Sequence, residues 1–306
     1  MNPPSPNSEE KLWAVLSHLA VLAGSMGLVI PVYAWAENRR KSPYAAFQSA
    51  QALGYQSLGY TLWGLAYLLV LIVFTLLTLP LLPKGSQNPS DWGGWLTLHI
   101  LLALGAYGLY IFFPLLGAVM CALGRDFRYP FMGGRLARFL AYIPGSTDAH
   151  LDEQHEERFV VSMAHFCVIF PLVGLVVPLA LWSTQGKRSP YIRFQTLQTI
   201  VFQSLGTLAF LVLGLLALVV FIVAIVLFVP ALGSGQPPLA GLFGVFVFLI
   251  CLAVIFLVVP LFQIVGQWAG LRVLQGHDYR YSIIGRWLEK RLAARADATI
   301  PPAKDI

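Results

Sequence analysis

Long apolar runs alternate with short polar stretches along this chain, and the alternation occurs twice. Residues 12–35, 53–79 and 95–123 are three apolar runs followed by a basic tail. Residues 159–182, 200–229 and 239–274 are three more, followed by a second basic tail. The runs are long enough to cross a bilayer, which takes ~20 apolar residues in a helix. None shows the strict polar–apolar alternation of a barrel strand. No Lys, Arg, Asp or Glu occurs between Tyr44 and Pro83, or between Phe194 and Leu271. The pattern predicts an all-α integral membrane protein of two tandem repeats. Each repeat has three apolar helical segments, the first one broken, and a basic interfacial tail.

The repeat is visible residue by residue. At an offset of 147, His18 falls on His165, Gly27 on Gly174, Pro31 on Pro178 and Trp35 on Trp182. Ser42-Pro43-Tyr44 falls on Ser189-Pro190-Tyr191, and Gln48, Gln51 and Gln56 fall on Gln195, Gln198 and Gln203. A second block, Gly124-Arg125-Asp126-Phe127-Arg128-Tyr129, matches Gly276-His277-Asp278-Tyr279-Arg280-Tyr281 at an offset of 152. Paired repeats are a common design of membrane proteins. The chain divides into an N-terminal tail (1–10), membrane repeat 1 (11–142), a polar, acidic and flexible linker (143–157), membrane repeat 2 (158–293) and a C-terminal tail (294–306).

The basic residues decide between two topologies. With six full crossings, 12 of the 20 Lys and Arg lie on one side and 8 on the other, hardly a bias. If the first segment of each repeat dips in and returns, 19 share one face and only Lys84 is opposite. Basic residues gather on the cytoplasmic side of membrane proteins. The first segments also carry break signals, Gly24-Ser25-Met26-Gly27 and Pro171-Leu172-Val173-Gly174. The favoured arrangement is four spans plus two broken, re-entrant segments in a cell membrane, with both termini cytoplasmic. A six-span inverted repeat is the alternative. Residues 1–11 lack a basic n-region, so no cleaved signal peptide is expected.

Composition agrees with the class. Charged residues make up 11 % of the chain, against roughly 25 % in soluble domains. The net charge of +6 comes from basic residues flanking apolar runs and does not imply nucleic acid. Cys121, Cys167 and Cys251 lack metal-ligand spacing and read as buried small apolar residues. No cofactor or metal is expected.

Three sets of residues invite a chemical reading. Gln48, Gln51 and Gln56 follow a Ser-Pro-Tyr helix start and fall within an arc of about 140° at ~100° per residue. With Gln195, Gln198 and Gln203 they frame either a polar groove between repeats or hydrogen-bonded glue between helices. His18 and His165 sit early in the first segments; intramembrane ionisable groups are functional candidates. A neutral His bonded to a Gln amide would instead serve packing. In the basic tails, Arg125, Arg128, Arg135, Arg138, Arg280 and Arg286 alternate with apolar residues and suit anionic lipid headgroups. No Asp or Glu lies within an apolar run, against an ion-coupled carrier, and no P-loop, GxSxG or dinucleotide fingerprint occurs.

Leu16-Ser17-His18-Leu19, the glycine break, Pro31 and Trp35, Lys41-Ser42-Pro43, Phe47-Gln48 with Gln51, and the Asp-Phe-Arg-Tyr-Pro block together resemble the bacterial and archaeal domain-of-unknown-function 4870 family. That family is related to the Tic-twenty-like proteins of the chloroplast inner envelope. The second copy departs at Phe166, where the first has Leu19, and at Ser282, where the first has Pro130. The resemblance implies a compact helical membrane domain and a role in handling membrane proteins. The expected function is a non-enzymatic accessory or scaffold partnered with the bilayer and other membrane proteins. A small-molecule transporter or channel between the repeats is the alternative, and a lipid-modifying enzyme a weaker third.

Overall fold

The computed structural model describes residues 5–81, 89–146, 150–170, 172–234 and 239–298, and among them all regular structure is helical. Repeat 1 contains α1 (Ser8–Leu19), α2 (Val29–Asn38), α3 (Pro43–Thr78), α4 (Pro89–Ala122) and α5 (Gly133–Phe139). Repeat 2 contains α6 (Glu153–Phe166), α7 (Val176–Gln185), α8 (Pro190–Ser234), α9 (Leu239–Leu274) and α10 (Ile284–Ala298). The final residues of the stretch expected to be a linker, from Glu153 on, therefore begin α6. Lys84 and Pro171 lie outside the described residues.

Short-range chemistry sets the helix starts. Asn7 and Glu10 form a reciprocal capping box at α1. Ser42 caps α3 by accepting from the Ala45 amide, with Pro43 at the first helical position. Asp152 caps α6, and the Ser189 hydroxyl accepts from the Ile192 amide at the start of α8.

The first segment of each repeat is a broken hairpin that turns back. α1 runs parallel to α3: Ser17 meets Ser49 and Gly24 lies by the Tyr60 hydroxyl further along. α2 returns antiparallel, because Asn38 O accepts from the Lys41 and Ser42 amides just before α3 begins. Pro6 and Lys11 at the start of α1 lie against Gly124 at the end of α4, so all these ends share one face. Leu19–Val29 links α1 to α2 through a 3-10 segment in which Gly24 has φ +59°. A side chain at Gly27 would place its Cβ 1.8 Å from Ala20 O, and one at Gly174 would lie 2.1 Å from Cys167 O. That close approach is why both breaks need glycine. The first segment of each repeat is thus broken, as expected from the sequence.

Among the described residues, five helical stretches are long and apolar enough to cross a membrane: the broken segment Ser8–Asn38 and the long helices α3, α4, α8 and α9, called the spanning helices. At 1.5 Å per residue, α3 is about 54 Å long. Its first half is buried by the hairpins; from Leu62 outward Leu65, Leu68, Leu69, Leu76 and Leu77 are exposed. Such a surface needs lipid around it. The repeats meet through α2 on α7 and α3 on α6, and Trp35, Phe47, Leu53, Phe159, Met163 and Leu181 fill the seam. The contact is heterologous: Trp35 is fully buried while its counterpart Trp182 is 43 % exposed.

Candidate functional site

Each repeat builds the same buried polar cluster where the first hairpin helix, the start of the spanning helix and the basic tail converge. In repeat 1 the Gln48 amide nitrogen donates to Asp126 Oδ1 (2.9 Å) and Phe127 O (3.1 Å). Those acceptors orient the amide, so Gln48 Oε1 faces His18 Nε2 at 3.1 Å and accepts from it. His18 Nδ1 is then the acceptor for the Tyr129 hydroxyl, 2.8 Å away. This neutral tautomer satisfies both ring nitrogens. Gln51 donates to Phe127 O (2.7 Å), and Gln56 to Ser17 O (2.9 Å) at the frayed end of α1. Tyr129 stacks on Tyr55 with centroids 4.1 Å apart.

Repeat 2 reproduces this set. His165 Nε2 meets Gln195 Oε1 at 3.3 Å and Nδ1 meets the Tyr281 hydroxyl at 3.1 Å. Gln195 donates to Asp278 Oδ1 (2.8 Å), Gln198 to Tyr279 O (2.9 Å) and Gln203 to Ala164 O (2.9 Å). One addition is Thr199, whose hydroxyl lies 3.1 Å from His165 Nδ1; repeat 1 has Ala52 there. Phe202 replaces Tyr55 under Tyr281.

The eight His and Gln residues singled out from the sequence are thus brought together as two separate sets of four, each at most 4 % exposed. Among the described residues they bind the protein's own tails and hairpins. Gln56 Oε1 and Gln203 Oε1 are left without partners. Gln203 borders a small cavity of about 40 Å³ with Val168, Phe170 and Thr207. The six candidate headgroup arginines are all exposed. Arg128 pairs with Asp126 (3.3 Å), and Arg280 with Asp278 (2.8 Å) and Glu289. Beside them Phe131 and Ile283, equivalent in the two repeats, are 91 % and 80 % exposed. Loss of solvent raises the Asp126 carboxyl above its ordinary range, against the opposing pull of Tyr142, Arg128 and Gln48.

Sequence reasoning missed a charged joint between the repeats. Arg39, with a side chain 4 % exposed, reaches Glu153 (3.4 Å), Glu156 (3.3 Å) and Glu157 (3.4 Å). Trp35 Nε1 donates to Glu156, and Arg39 donates to Gln185 Oε1 (3.3 Å). Burial pushes the Glu156 carboxyl up to about 7, with Arg39 and Trp35 opposing the shift. The one signal available was an Arg at the end of the first hairpin where the second repeat has Gly186.

Fold and clusters together define a multi-pass, all-α membrane protein of two tandem units, each a broken hairpin and a spanning pair locked by a buried His–Gln–Tyr cluster that an exposed Asp closes. The model of the magnetosome magnetite crystal formation protein family matches residues 9–137 and 156–288, one match per repeat, and the chain belongs to that family. No curated protein and no solved structure matches it.

This corrects the resemblance to the domain-of-unknown-function 4870 and Tic-twenty-like proteins, for which no match is found. The residues that suggested it, His18, Gln48, Gln51 and Tyr129, are those that lock a tail against a hairpin inside a bilayer. They report a way of packing, and packing does not carry an activity from one family to another.

Proposed function

We propose that this chain is a non-enzymatic structural component of the membrane in which magnetite crystals form. The match of the magnetosome magnetite crystal formation family to both repeats carries this reading. Two further features support it. The imidazole and most amide groups of the clusters are engaged within the chain, so little reactive chemistry is offered to a substrate. The seam between repeats is filled by large apolar side chains, which disfavours a transport path there.

In this reading the hairpin face is cytoplasmic. The exposed arginines of the two tails, with Phe131 and Ile283, lie at anionic headgroups and fix the depth of the protein. The test is deletion of the chain in a magnetite-forming host, followed by electron microscopy of crystal number and dimensions. Altered crystals, restored by the wild-type chain, are expected. Crystals unchanged in number and size would overturn the proposal.

A further inference from the structure

The spanning pair of repeat 1 encloses a crevice much larger than the cavity of about 40 Å³ at the equivalent place in repeat 2. α3 and α4 diverge beyond the polar cluster and leave a cavity of about 190 Å³ walled by Tyr60, Trp63, Tyr67, Tyr107 and Tyr110. At the inner end Tyr55 stacks on Tyr110 at 5.5 Å. The Tyr55 hydroxyl also donates to Tyr110 O (2.9 Å), a carbonyl freed because Pro114 has no N–H to give it. At the outer end Trp95 donates to Thr78 (2.9 Å) and His99 meets Thr75 (3.1 Å). Tyr107 is 55 % exposed, so the mouth opens sideways into lipid.

Two observations point to a ligand rather than to loose packing. Tyr60, Tyr67 and Tyr107 stand where repeat 2 has Thr207, Gly214 and Val259, and in repeat 2 Phe262, the counterpart of Tyr110, closes onto Phe202 at 3.9 Å. The Tyr110 hydroxyl is buried and makes no hydrogen bond of normal geometry among the described residues; the Tyr60 hydroxyl is its polar neighbour, and a pair of phenols can use only one of its two protons internally. An orphaned phenol in a hydrocarbon setting is unfavourable until an acceptor arrives. Aromatic faces stack on flat rings, and an acyl chain offers neither a ring nor an acceptor.

We infer that the α3–α4 crevice binds a membrane-dissolved lipid with a planar, carbonyl-bearing ring, the chemistry of a quinone. The ring lies among Tyr60, Trp63 and Tyr107, and one carbonyl accepts from Tyr110. The isoprenoid tail leaves through the lateral mouth. Mostly apolar walls with one or two placed donors are the usual make-up of a ligand site.

The test uses the full chain in nanodiscs, photolabelled with an azido-quinone and competed with decyl-ubiquinone. Label confined to residues 60–67 and 103–110, displaced by the competitor, is expected. Tyr110→Phe should weaken apparent affinity about tenfold, as loss of one hydrogen bond worth ~1.4 kcal/mol would. Thermal melting of that variant confirms folding, and Trp63→Leu provides a second variant that removes a wall. Label spread evenly along the lipid-facing helices, or an affinity unmoved by both variants, overturns the inference. So does equal labelling of the same peptides by a photoactivatable fatty acid that decyl-ubiquinone does not displace, which would mean that acyl chains fill the crevice.

Discussion

In repeat 1, α3 and α4 leave their polar cluster, part, and meet again through Thr75, Thr78, Trp95 and His99; in repeat 2, α8 and α9 leave an equivalent cluster and stay closely packed. Small residues account for the difference. A Cβ on Gly241 would lie 2.6 Å from Phe228 Cα and one on Gly244 2.9 Å from Ala224 Cβ, so the two backbones approach closely there. In α4, Gly105 and Gly108 face open space. Between transmembrane helices association comes from close packing, since lipid is as apolar as the side chains. α9 also ties down its hairpin: Gln263 and Gln267 donate to Ile169 O (3.3 Å) and Phe166 O (2.8 Å) at the break, where α4 has Ile111 and Leu115. One polar joint thus supports two kinds of membrane arm, a tight one and an open one.

The largest expected effect falls on what holds the two arms in one molecule. Arg39→Met leaves Glu156 buried without its cation, and removing one partner of a buried pair destabilises by about 3–5 kcal/mol. Its counterpart is Gly186, and a change there to Ala meets the Trp182 carbonyl at 2.5 Å but breaks no ion pair. Chemical denaturation in detergent should show the repeats unfolding separately in Arg39→Met. A single transition at wild-type stability would refute the charged joint.

Next comes the packing contrast itself. Gly244→Leu should force α8 from α9 and destabilise by roughly 1–3 kcal/mol, whereas Gly108→Leu should stay within about 0.5 kcal/mol of wild type. Thermal melting of the two variants side by side measures this. Equal losses would mean that α3 and α4 close up in the bilayer.

A smaller difference separates the clusters. Tyr129→Phe and Tyr281→Phe each remove the hydroxyl donor to a His Nδ1, a loss of about 1 kcal/mol. The Thr199 hydroxyl can take the place of Tyr281, and Ala52 cannot replace Tyr129. Tyr129→Phe should therefore be the more damaging, and adding Thr199→Ala to Tyr281→Phe should bring the two level.

Part of this architecture was legible in the sequence. The His and Gln positions stood out because they recur at one offset, and the hairpin turns stood out through their glycines. What the Gln residues face was not legible. Their partners, Phe127 O and Tyr279 O, lie some 80 residues away, and polar positions facing a groove look the same as those facing a folded-back tail. The charged joint was hidden for the same reason, since Arg39 and Glu156 are brought together only by the packing of α2 on α7 and α3 on α6. The parting of α3 from α4 was not legible from hydropathy, which measures how apolar a helix is and not what it packs against. The repeat-2 pair is the more apolar, with mean hydropathy 3.4 and 3.3 against 2.2 and 2.0, but all four helices read alike as membrane segments, and the distinction rests on which glycines meet a neighbour.

The last prediction concerns the pH dependence of the joint. The Glu156 carboxyl stands at about 7 in the folded protein, above its ordinary value of 4.5. Between these values the folded state holds a proton that the unfolded chain has released, so this group's contribution is fully present below about 4.5 and is lost as pH rises through about 7. Wild-type melting temperature should then fall from pH 5 to pH 8 relative to Glu156→Gln, whose amide keeps the Trp35 bond but does not titrate. Only the difference between the two pH profiles isolates Glu156, because the neighbouring His155, Glu153 and Glu157 are common to both proteins. Arg39 acts in the opposite direction by favouring the charged carboxylate, so the difference should be smaller than the loss on removing Arg39 itself. Parallel profiles would place the Glu156 carboxyl at its ordinary value and make the Arg39 joint a simple ion pair at every pH tested.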